Sequence, residues 1–301
     1  MSDFTSGSLI EPLYCRGGVA VDILRLDKFD ALAPGNKWFK LAPNLAAAQQ
    51  MGCETLVSFG GAYSNHLHAL AAVGKACGLA TVGCVRADEG VVLSPTLQDA
   101  EAWGMRLHYL SRTDYRRRHD PQFVAEILAQ YEQPFLIPEG GANTLGAEGC
   151  AAIAELIPNF GRDYGAIVVA CGTGTTLAGL AAKVADSVQI IGIPVLKAEA
   201  YMAGDISKLL TTMGSERRNW RLDFRFHGGA YARLSDELRD YMLGFEAEHG
   251  VVLDPVYTAK MMWGLEHMLQ QGEFAEGSRV LAIHSGGLQG RRGFPSLLKA
   301  S

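Results

Sequence analysis

Long apolar runs, paired cysteines and an excess of positive charge are all missing from this chain of 301 residues. No run approaches the roughly 18 apolar residues that a membrane-spanning helix needs. The six cysteines are scattered without a CxxC pair, and the eight histidines are dispersed. This scatter argues against a metal centre. The net charge of −5 argues against a general nucleic-acid binder. We therefore expect no membrane, metal or nucleic-acid partner.

A secretory signal is also missing. The first 13 residues lack the charged-then-apolar layout of a signal peptide. Cys53, Cys77 and Cys84 lie in apolar surroundings, where a free thiol behaves as a small hydrophobe. We expect a reduced, cytoplasmic location.

What is present is a regular alternation of short β-branched runs and helical patterns. Apolar residues make up 48% of the chain, enough to bury a sizeable core. The first strand-like runs are 21–26, 55–59, 80–86 and 105–110, and the first helical ones are 40–52, 64–78 and 94–104. Strands separated by helices of this length pair in parallel through crossover connections. The pattern predicts an α/β fold with doubly wound, mostly parallel sheets.

Two glycine-rich turns at strand ends, near residues 60 and 172, are more than a hundred residues apart in the chain. Ligands of open α/β sheets bind outside the carboxyl ends of the strands. Two such ends that face one ligand require two sheets with a cleft between them. We expect a small domain, residues 40–147, inserted into a large domain made of residues 1–39 and 148–301.

The first turn places Ser64 and Asn65 after Gly60 and Gly61. Serine is a favoured helix N-cap, and the free amides of a helix start form an anion site. A plain strand–helix turn with a serine cap is the other interpretation. The G-x-S-x-G spacing of a nucleophile elbow is absent, which disfavours a hydrolase.

The second turn, residues 172–176, reads GTGTT between a buried strand and a helix. Its glycines allow close approach of an anion, and its threonines add hydroxyls to the helix amides. No GK[ST] follows, so it is not a Walker A loop. The glycine spacing also fails the dinucleotide fingerprint, which disfavours a nicotinamide-dependent oxidoreductase. A mononucleotide-like phosphate cup fits best.

Lys37 stands between a Gly-Asn turn and two aromatic residues. Alone it is a solvated side chain. Together, an amine, a phosphate cup and a Ser-Asn helix start are what a pyridoxal phosphate enzyme needs. Aromatic crowding would lower the pKa of the amine and keep it nucleophilic. Lys40, three residues on, is the nearest competitor for this role.

The order of these motifs resembles a known family, the fold type II pyridoxal phosphate enzymes that include 1-aminocyclopropane-1-carboxylate (ACC) deaminase and D-cysteine desulfhydrase. The resemblance covers nearly the whole chain. The motifs that carry it are GNK (35–37), GGAYSNH (60–66), PEGGAN (138–143), GTGTT (172–176), GGAYARLSDE (228–237), DPVYTAK (254–260) and HSGG (284–287).

The resemblance implies pyridoxal 5'-phosphate as cofactor, with Lys37 as the lysine that forms the Schiff base and Asn65 in contact with the ring hydroxyl. Thr258 would stand opposite the ring nitrogen. The phosphate would be held by the loop residues Gly172, Thr173, Gly174, Thr175 and Thr176.

On the substrate side, the resemblance implies that Ser64, Asn65 and His66 take the substrate carboxylate. Tyr231 and Tyr257 would line the same side, and with Lys37 and Ser64 they make up the expected catalytic set. A homodimer is also implied by the resemblance.

Two positions bear on the substrate. ACC deaminases have Glu where Thr258 stands and Leu where Ser285 stands, whereas desulfhydrase-like members have Thr and a small hydroxyl residue. We therefore predict a D-cysteine desulfhydrase-like enzyme, with ACC deaminase as the alternative. Tyr63 and His68 replace the family's more usual Gln and Arg. The non-enzymatic alternative is an α/β small-molecule binding protein, which would bind an anion without a Schiff base.

Overall fold

The computed structural model describes residues 9–87, 90 and 92–298. Most of the N-terminal stretch that was read for a signal peptide therefore lies outside the described residues. No helix in the described part of the chain is long and apolar enough to span a membrane.

Ten strands are found among the described residues, and they form two sheets. The strands are β1 (Ile10–Arg16), β2 (Val19–Arg25), β3 (Thr55–Gly60), β4 (Ala80–Arg86), β5 (Met105–Leu110), β6 (Pro134–Ile137), β7 (Ala166–Cys171), β8 (Gln189–Pro194), β9 (Trp220–Leu222) and β10 (Arg279–His284). The larger sheet has the order β1-β2-β10-β7-β8-β9 and the smaller one β5-β4-β3-β6. All described strand pairs are parallel except β1 with β2. The predicted fold class is confirmed.

The described helices connect these strands and cover the sheets. They are α1 (Asn36–Gln50), α2 (Asn65–Cys77), α3 (Pro95–Ala102), α4 (Arg112–Arg116), α5 (Pro121–Leu128), α6 (Thr144–Ala151), α7 (Thr175–Lys183), α8 (Met202–Thr212), α9 (Asp236–His249), α10 (Thr258–Gln270) and α11 (Pro295–Leu298). Short 3-10 helices fill several connections, among them Glu139–Gly141 and Leu288–Gly293.

The larger sheet is buried on both faces. Alternate side chains of its strands point to opposite sides, so that Val168 packs with α9 and α10 while Val169 packs with α6, α7 and α8. The central strand β7 is apolar throughout, as a parallel strand buried on both faces is expected to be. The smaller sheet is covered by α1, α2 and α3 on one face and by α5 on the other.

Helix α1 links the two cores. Phe39 belongs to the core of the larger sheet, and Leu41 belongs to the core of the smaller sheet. Helix α6 crosses α1 closely at Gly149, where a Cβ would lie 1.9 Å from the Phe39 carbonyl oxygen. The proposed domain boundary between residues 39 and 40 falls inside helix α1. The domain bounds 40–147 stay a proposal.

Candidate active site

The site is formed where strand ends from the two sheets face each other. In the larger sheet, β7 ends before the 172–176 loop and β10 ends at His284. In the smaller sheet, β3 ends at Gly60 and leads to the start of α2. All of these are carboxyl ends of parallel strands, the edge at which such folds bind ligands.

Lys37 lies in the first turn of α1, and glycine fixes where that helix starts. Gly35 is the N-cap, with φ +84° and ψ −155°, a conformation essentially confined to glycine. A Cβ at Gly35 would lie 2.1 Å from the carbonyl oxygen of Ser285. The same carbonyl accepts a hydrogen bond of 3.1 Å from the Asn36 amide. The helix start that carries Lys37 therefore rests directly on the loop after β10.

The Lys37 amine is enclosed yet reachable from the cleft. Its side chain is half-buried, and Nζ donates to Asn36 Oδ1 at 2.7 Å. Nζ also lies 5.9 Å from the ring centroid of Tyr257. Burial, and then the nearby Lys40 ammonium, lower the pKa of Lys37 to about 7, against smaller opposing effects of Cys150 and Asp254. A large fraction of this amine is therefore neutral and nucleophilic at neutral pH.

Lys40 occupies a different environment one turn on. It is 5% exposed, its pKa is lowered by burial, and Nζ donates to the Gly140 carbonyl at 3.2 Å. A Cβ at Gly140 would lie 3.2 Å from Thr173 Cγ2. Lys40 thus places a buried amine close to the 172–176 loop, where a bound anion would favour its charged form.

The 172–176 loop presents the open start of α7. Gly174 is the N-cap in a left-handed conformation, φ +75°, and no side chain caps the helix. The hydroxyls of Thr173 and Thr175 lie 2.9 Å apart. Thr176 is buried and its hydroxyl accepts a hydrogen bond of 2.9 Å from Asn36 Nδ2. Uncapped amides, threonine hydroxyls and the nearby Lys40 charge together suit a phosphate group.

The start of α2 brings together the three residues predicted for carboxylate binding. Ser64 caps the helix, because its Oγ accepts from the Leu67 amide at 3.2 Å. Asn65 Oδ1 accepts a hydrogen bond from Gln289 of the 3-10 helix Leu288–Gly293. A Cβ at Gly287 would lie 2.8 Å from Asn65 Nδ2, so this amide reaches the loop that follows β10.

His66 is 2% exposed, and its Nε2 lies 3.0 Å from Ser58 Oγ. Its Nδ1 has no hydrogen-bond partner among the described residues. Burial, and then the charges of Lys37 and Lys40, lower the pKa of His66 to about 3. This ring is therefore neutral at physiological pH and retains an unused polar atom.

Two tyrosines close one side of the site. The hydroxyls of Tyr231 and Tyr257 lie 3.2 Å apart, and their rings meet edge to face with centroids 6.2 Å apart. Burial raises the pKa of both, so both hydroxyls stay protonated at neutral pH. A Cβ at Gly172 would lie 3.1 Å from Tyr257 Cε1. Tyr257 therefore stands between the Lys37 amine and the 172–176 loop.

Thr258 is fully buried beside Asp254. The Asp254 carboxylate accepts from the amides of Val256, Tyr257 and Thr258 at 2.8–2.9 Å and from the Thr258 hydroxyl at 2.8 Å. Burial raises the pKa of Asp254 although these bonds oppose the shift. The carboxylate fixes the start of α10 and with it the orientations of Tyr257 and Thr258.

Sequence reasoning missed two contributors. Asp254 had a signal, since Asp before Pro is typical of a turn in which the carboxylate accepts hydrogen bonds from the backbone amides that follow it. Asn36 had none beyond its position next to Lys37. At the two positions that depart from the family pattern, His68 Nε2 lies 3.1 Å from Asp99 Oδ2 and Tyr63 is 43% exposed.

The residues present fit a phosphorylated aldehyde. The Lys37 amine, with its low pKa, can attack a carbonyl carbon, and the open start of α7 can hold a phosphate. Gly172 has no side chain, and the Tyr257 ring packs directly against it. The start of α2 is a second helix N-terminus in the site, at which another anion can bind.

Comparison with known proteins agrees with this fit. A family described as "Pyridoxal-phosphate dependent enzyme" matches residues 26–286. A putative 1-aminocyclopropane-1-carboxylate deaminase of Thermotoga maritima is 31% identical over 91% of this chain and 90% of its own length. A D-cysteine desulfhydrase of Yersinia enterocolitica is 30% identical over 90% of this chain and 87% of its own. A crystal structure described as an ACC deaminase homologue superposes with a TM-score of 0.81 at 25% identity, covering 94% of this chain and 89% of that one.

Proposed function

Because the chain belongs to the pyridoxal-phosphate-dependent enzyme family, we propose that it is a lyase that degrades a small amino acid, with D-cysteine as its preferred substrate. The family membership confirms the predicted resemblance, the enzyme class and the cofactor, pyridoxal phosphate. It also favours an enzyme over the alternative of an α/β small-molecule binding protein. The single observation that carries the proposal is the Lys37 amine, whose pKa is lowered to about 7 beside Tyr257.

The cofactor would be held at both ends. Lys37 would take its carbonyl group, and the 172–176 loop, supported by the Lys40 charge, would take its phosphate. Asn65 would contact the ring hydroxyl, and Thr258 would face the ring nitrogen. Support comes from the short link between the two anchors, in which Asn36 bonds both Lys37 and Thr176.

When bound, pyridoxal phosphate supplies an electron sink for the pair released at the substrate α-carbon. Ser64, Asn65 and His66 bind the substrate carboxylate at the start of α2. After the substrate amine has displaced it from the cofactor, the neutral Lys37 amine removes the α-proton, and the C–S bond breaks with its electron pair leaving on sulfur. The unsaturated amine that results takes up one water after release. D-Cysteine and one water thus give pyruvate, ammonia and hydrogen sulfide.

Thr258 and Ser285 favour D-cysteine over ACC. A carboxylate at position 258 would keep the ring nitrogen protonated, whereas a hydroxyl does so far less. Elimination of thiolate from D-cysteine needs little charge storage, because sulfur is a good leaving group. ACC has no α-proton and no such leaving group, so its ring opening depends more on a strong electron sink. ACC deaminase remains the second candidate because relatives of both names match the chain.

A side-by-side assay tests the proposed preference for D-cysteine over ACC. Purified enzyme is incubated with D-cysteine, L-cysteine, D-serine and ACC, and pyruvate or 2-oxobutanoate is measured. We expect pyruvate and sulfide from D-cysteine at the highest rate. Faster turnover of ACC than of D-cysteine would reverse the preference.

The anchor lysine is tested separately. Lys37→Ala should abolish turnover and the covalently bound cofactor while the fold is kept, and Lys40→Ala should weaken cofactor retention. Borohydride reduction followed by peptide mapping should place the label on Lys37. A label on Lys40 would overturn the assignment.

The cellular location and the oligomeric state are two further parts of the proposal. We infer a cytoplasmic enzyme, and all six cysteines being free supports a reducing location. The homodimer expected from the resemblance is tested by light scattering of the purified protein.

A further inference from the structure

Lys260 is a buried cation that the proposed mechanism does not use. It lies in the first turn of α10, two residues after Thr258, and its side chain is 0% exposed. Its Nζ donates to three carbonyl oxygens, those of Val195 at 3.0 Å, His227 at 2.8 Å and Ala230 at 2.8 Å. All three ammonium hydrogens are therefore engaged, and none of the three acceptors carries a formal charge.

Burying an ammonium group is costly, because the charge loses its hydration. Burial lowers the pKa of Lys260 to about 8, although the Asp254 carboxylate opposes the shift. An apolar side chain of similar length would fill the same space without this penalty. The three carbonyl bonds are the compensation, so the segment that supplies two of them is the part of the structure that depends on Lys260.

That segment, residues 227–231, contains no helix or strand and has only local turn hydrogen bonds of its own, from the Gly229 amide to His227 Nδ1 and from the Arg233 amide to the Ala230 carbonyl. After the 3-10 helix Phe224–Phe226, the backbone turns through Gly228 and Gly229, both left-handed with φ of +66° and +89°. Ala232 is left-handed as well, at φ +55°, which is unfavourable for a residue with a Cβ. Conformations of this kind persist only when surrounding contacts hold them.

Lys260 supplies such contacts from inside. A Cβ at Gly228 would lie 2.9 Å from Lys260 Cε, so the lysine stem passes directly under this glycine. The Ala230 carbonyl that Nζ binds belongs to the peptide group that joins Ala230 to Tyr231. Tyr231 itself is 51% exposed, and its hydroxyl contacts that of Tyr257 at 3.2 Å.

We propose that Lys260 is a positioning residue, whose ammonium group holds segment 227–231 so that Tyr231 meets Tyr257 on the substrate side of Lys37. The role in turnover rests on the proposed function, whereas the anchoring of the segment does not. Without the anchor, Tyr231 leaves the contact and the substrate side of the site opens. Lys260 acts through Tyr231 and touches neither substrate nor cofactor.

The anchoring is tested by proteolysis, independently of any substrate. Chymotrypsin cleaves after tyrosine, and the Tyr231–Ala232 bond lies at the end of the anchored segment. In Lys260→Met the cleavage at this bond, identified by mass spectrometry, should be at least about tenfold faster, because three hydrogen bonds are lost. Lys208→Met, which alters an exposed lysine on α8, is the matched control and should leave the rate unchanged. An unchanged rate in Lys260→Met would overturn the proposal.

The action through Tyr231 is tested by a double-mutant cycle with D-cysteine, normalised to the bound cofactor. Lys260→Met and Tyr231→Phe should each raise KM more than they lower kcat, and the double variant should be little worse than Tyr231→Phe alone. A purely structural role predicts that Lys260→Met lowers thermal stability and leaves KM unchanged, and that the effects of the two substitutions on turnover multiply in the double variant. An unchanged KM or multiplied effects would each refute the positioning role. If Lys260→Met does not fold, Gly228→Ala displaces the same contact and should give the same cleavage and KM changes. Lack of D-cysteine turnover in the wild type would count against the proposed function and leave the cleavage test valid.

Discussion

Asn36 and Thr176 join the first turns of two helices that hold opposite ends of the site. Asn36 Nδ2 donates to the Thr176 hydroxyl at 2.9 Å, while Asn36 Oδ1 accepts from Lys37 Nζ at 2.7 Å. One buried amide therefore sets the position of the reactive amine relative to the proposed phosphate loop.

Replacing Asn36 by Ala should disturb function as well as stability. Two hydrogen bonds are lost in a buried setting, so the free energy of unfolding should fall by about 1–3 kcal/mol. Turnover per bound cofactor should fall too, because Lys37 loses its orienting partner. Asn44→Ala is the control, since Asn44 is 0% exposed in the same helix but bonds Lys40 O and Asn143. Denaturant unfolding measures the loss of stability in both variants, and turnover per bound cofactor measures the loss of function. An equal loss of turnover in both would contradict the role of Asn36.

Gly35 should not tolerate a side chain. Gly35→Ala combines a glycine-only backbone conformation with a Cβ placed 2.1 Å from the Ser285 carbonyl oxygen. We expect destabilisation of more than about 3 kcal/mol and loss of cofactor binding. At Gly52, φ is +68° and no atom lies within 4 Å of an added Cβ. Gly52→Ala should cost only about 1 kcal/mol. Thermal melts that rank the two variants equally would argue against this packing.

Ser64 and Ser235 allow a capping role to be separated from a binding role. Both cap a helix through a hydrogen bond of 3.2 Å, from Leu67 to Ser64 and from Leu238 to Ser235. Each Ser→Ala change should therefore cost about 1 kcal/mol of stability. Only Ser64→Ala should also raise KM for the amino acid, since Ser235 caps α9, outside the site. Loss of cofactor from Ser64→Ala, instead of a raised KM, would mean that the start of α2 binds the phosphate and the start of α7 binds the carboxylate.

His66 should make the apo-protein sensitive to acid. Its pKa is about 3 in the folded protein and about 6.5 when unfolded, so the unfolded chain binds the proton first as pH falls. Stability is lost across that window, by about 2 kcal/mol near pH 5. His66→Gln removes this contribution, so the variant should lose less stability between pH 7 and pH 5 than the wild type. His119→Gln, at an exposed position, should behave as the wild type does. Parallel pH dependence in all three proteins would contradict the burial of a neutral His66.

Local patterns predicted most elements because short apolar strands and glycine-ended helices are encoded locally. The runs 80–86 and 105–110 coincide with β4 and β5. Helix α1 was expected to start at residue 40 and starts at Asn36, because Gly35 adopts a conformation that its identity alone does not specify. Strand β1 was not foreseen, since it has one antiparallel neighbour and is only partly buried.

The site was predictable only in outline. Motifs at strand ends indicated which residues approach one ligand, because the fold class dictates where strand ends meet. The contacts that orient those residues join distant positions, as between Asn65 and Gln289 or between Lys260 and Val195. Such pairs follow from packing of elements far apart in the chain, which no local pattern encodes.

The position of β10 has a consequence for how the chain is made. This strand lies between β2 and β7 in the middle of the larger sheet, yet it begins at Arg279, far along the chain from Cys171, where β7 ends. On the ribosome, the edges of β2 and β7 that pair with β10 therefore stay unpaired until residues 279–284 have emerged. The smaller sheet, drawn from one continuous stretch, can form earlier. Folding of the nascent chain should thus depend on protection of those edges from other chains until β10 has emerged.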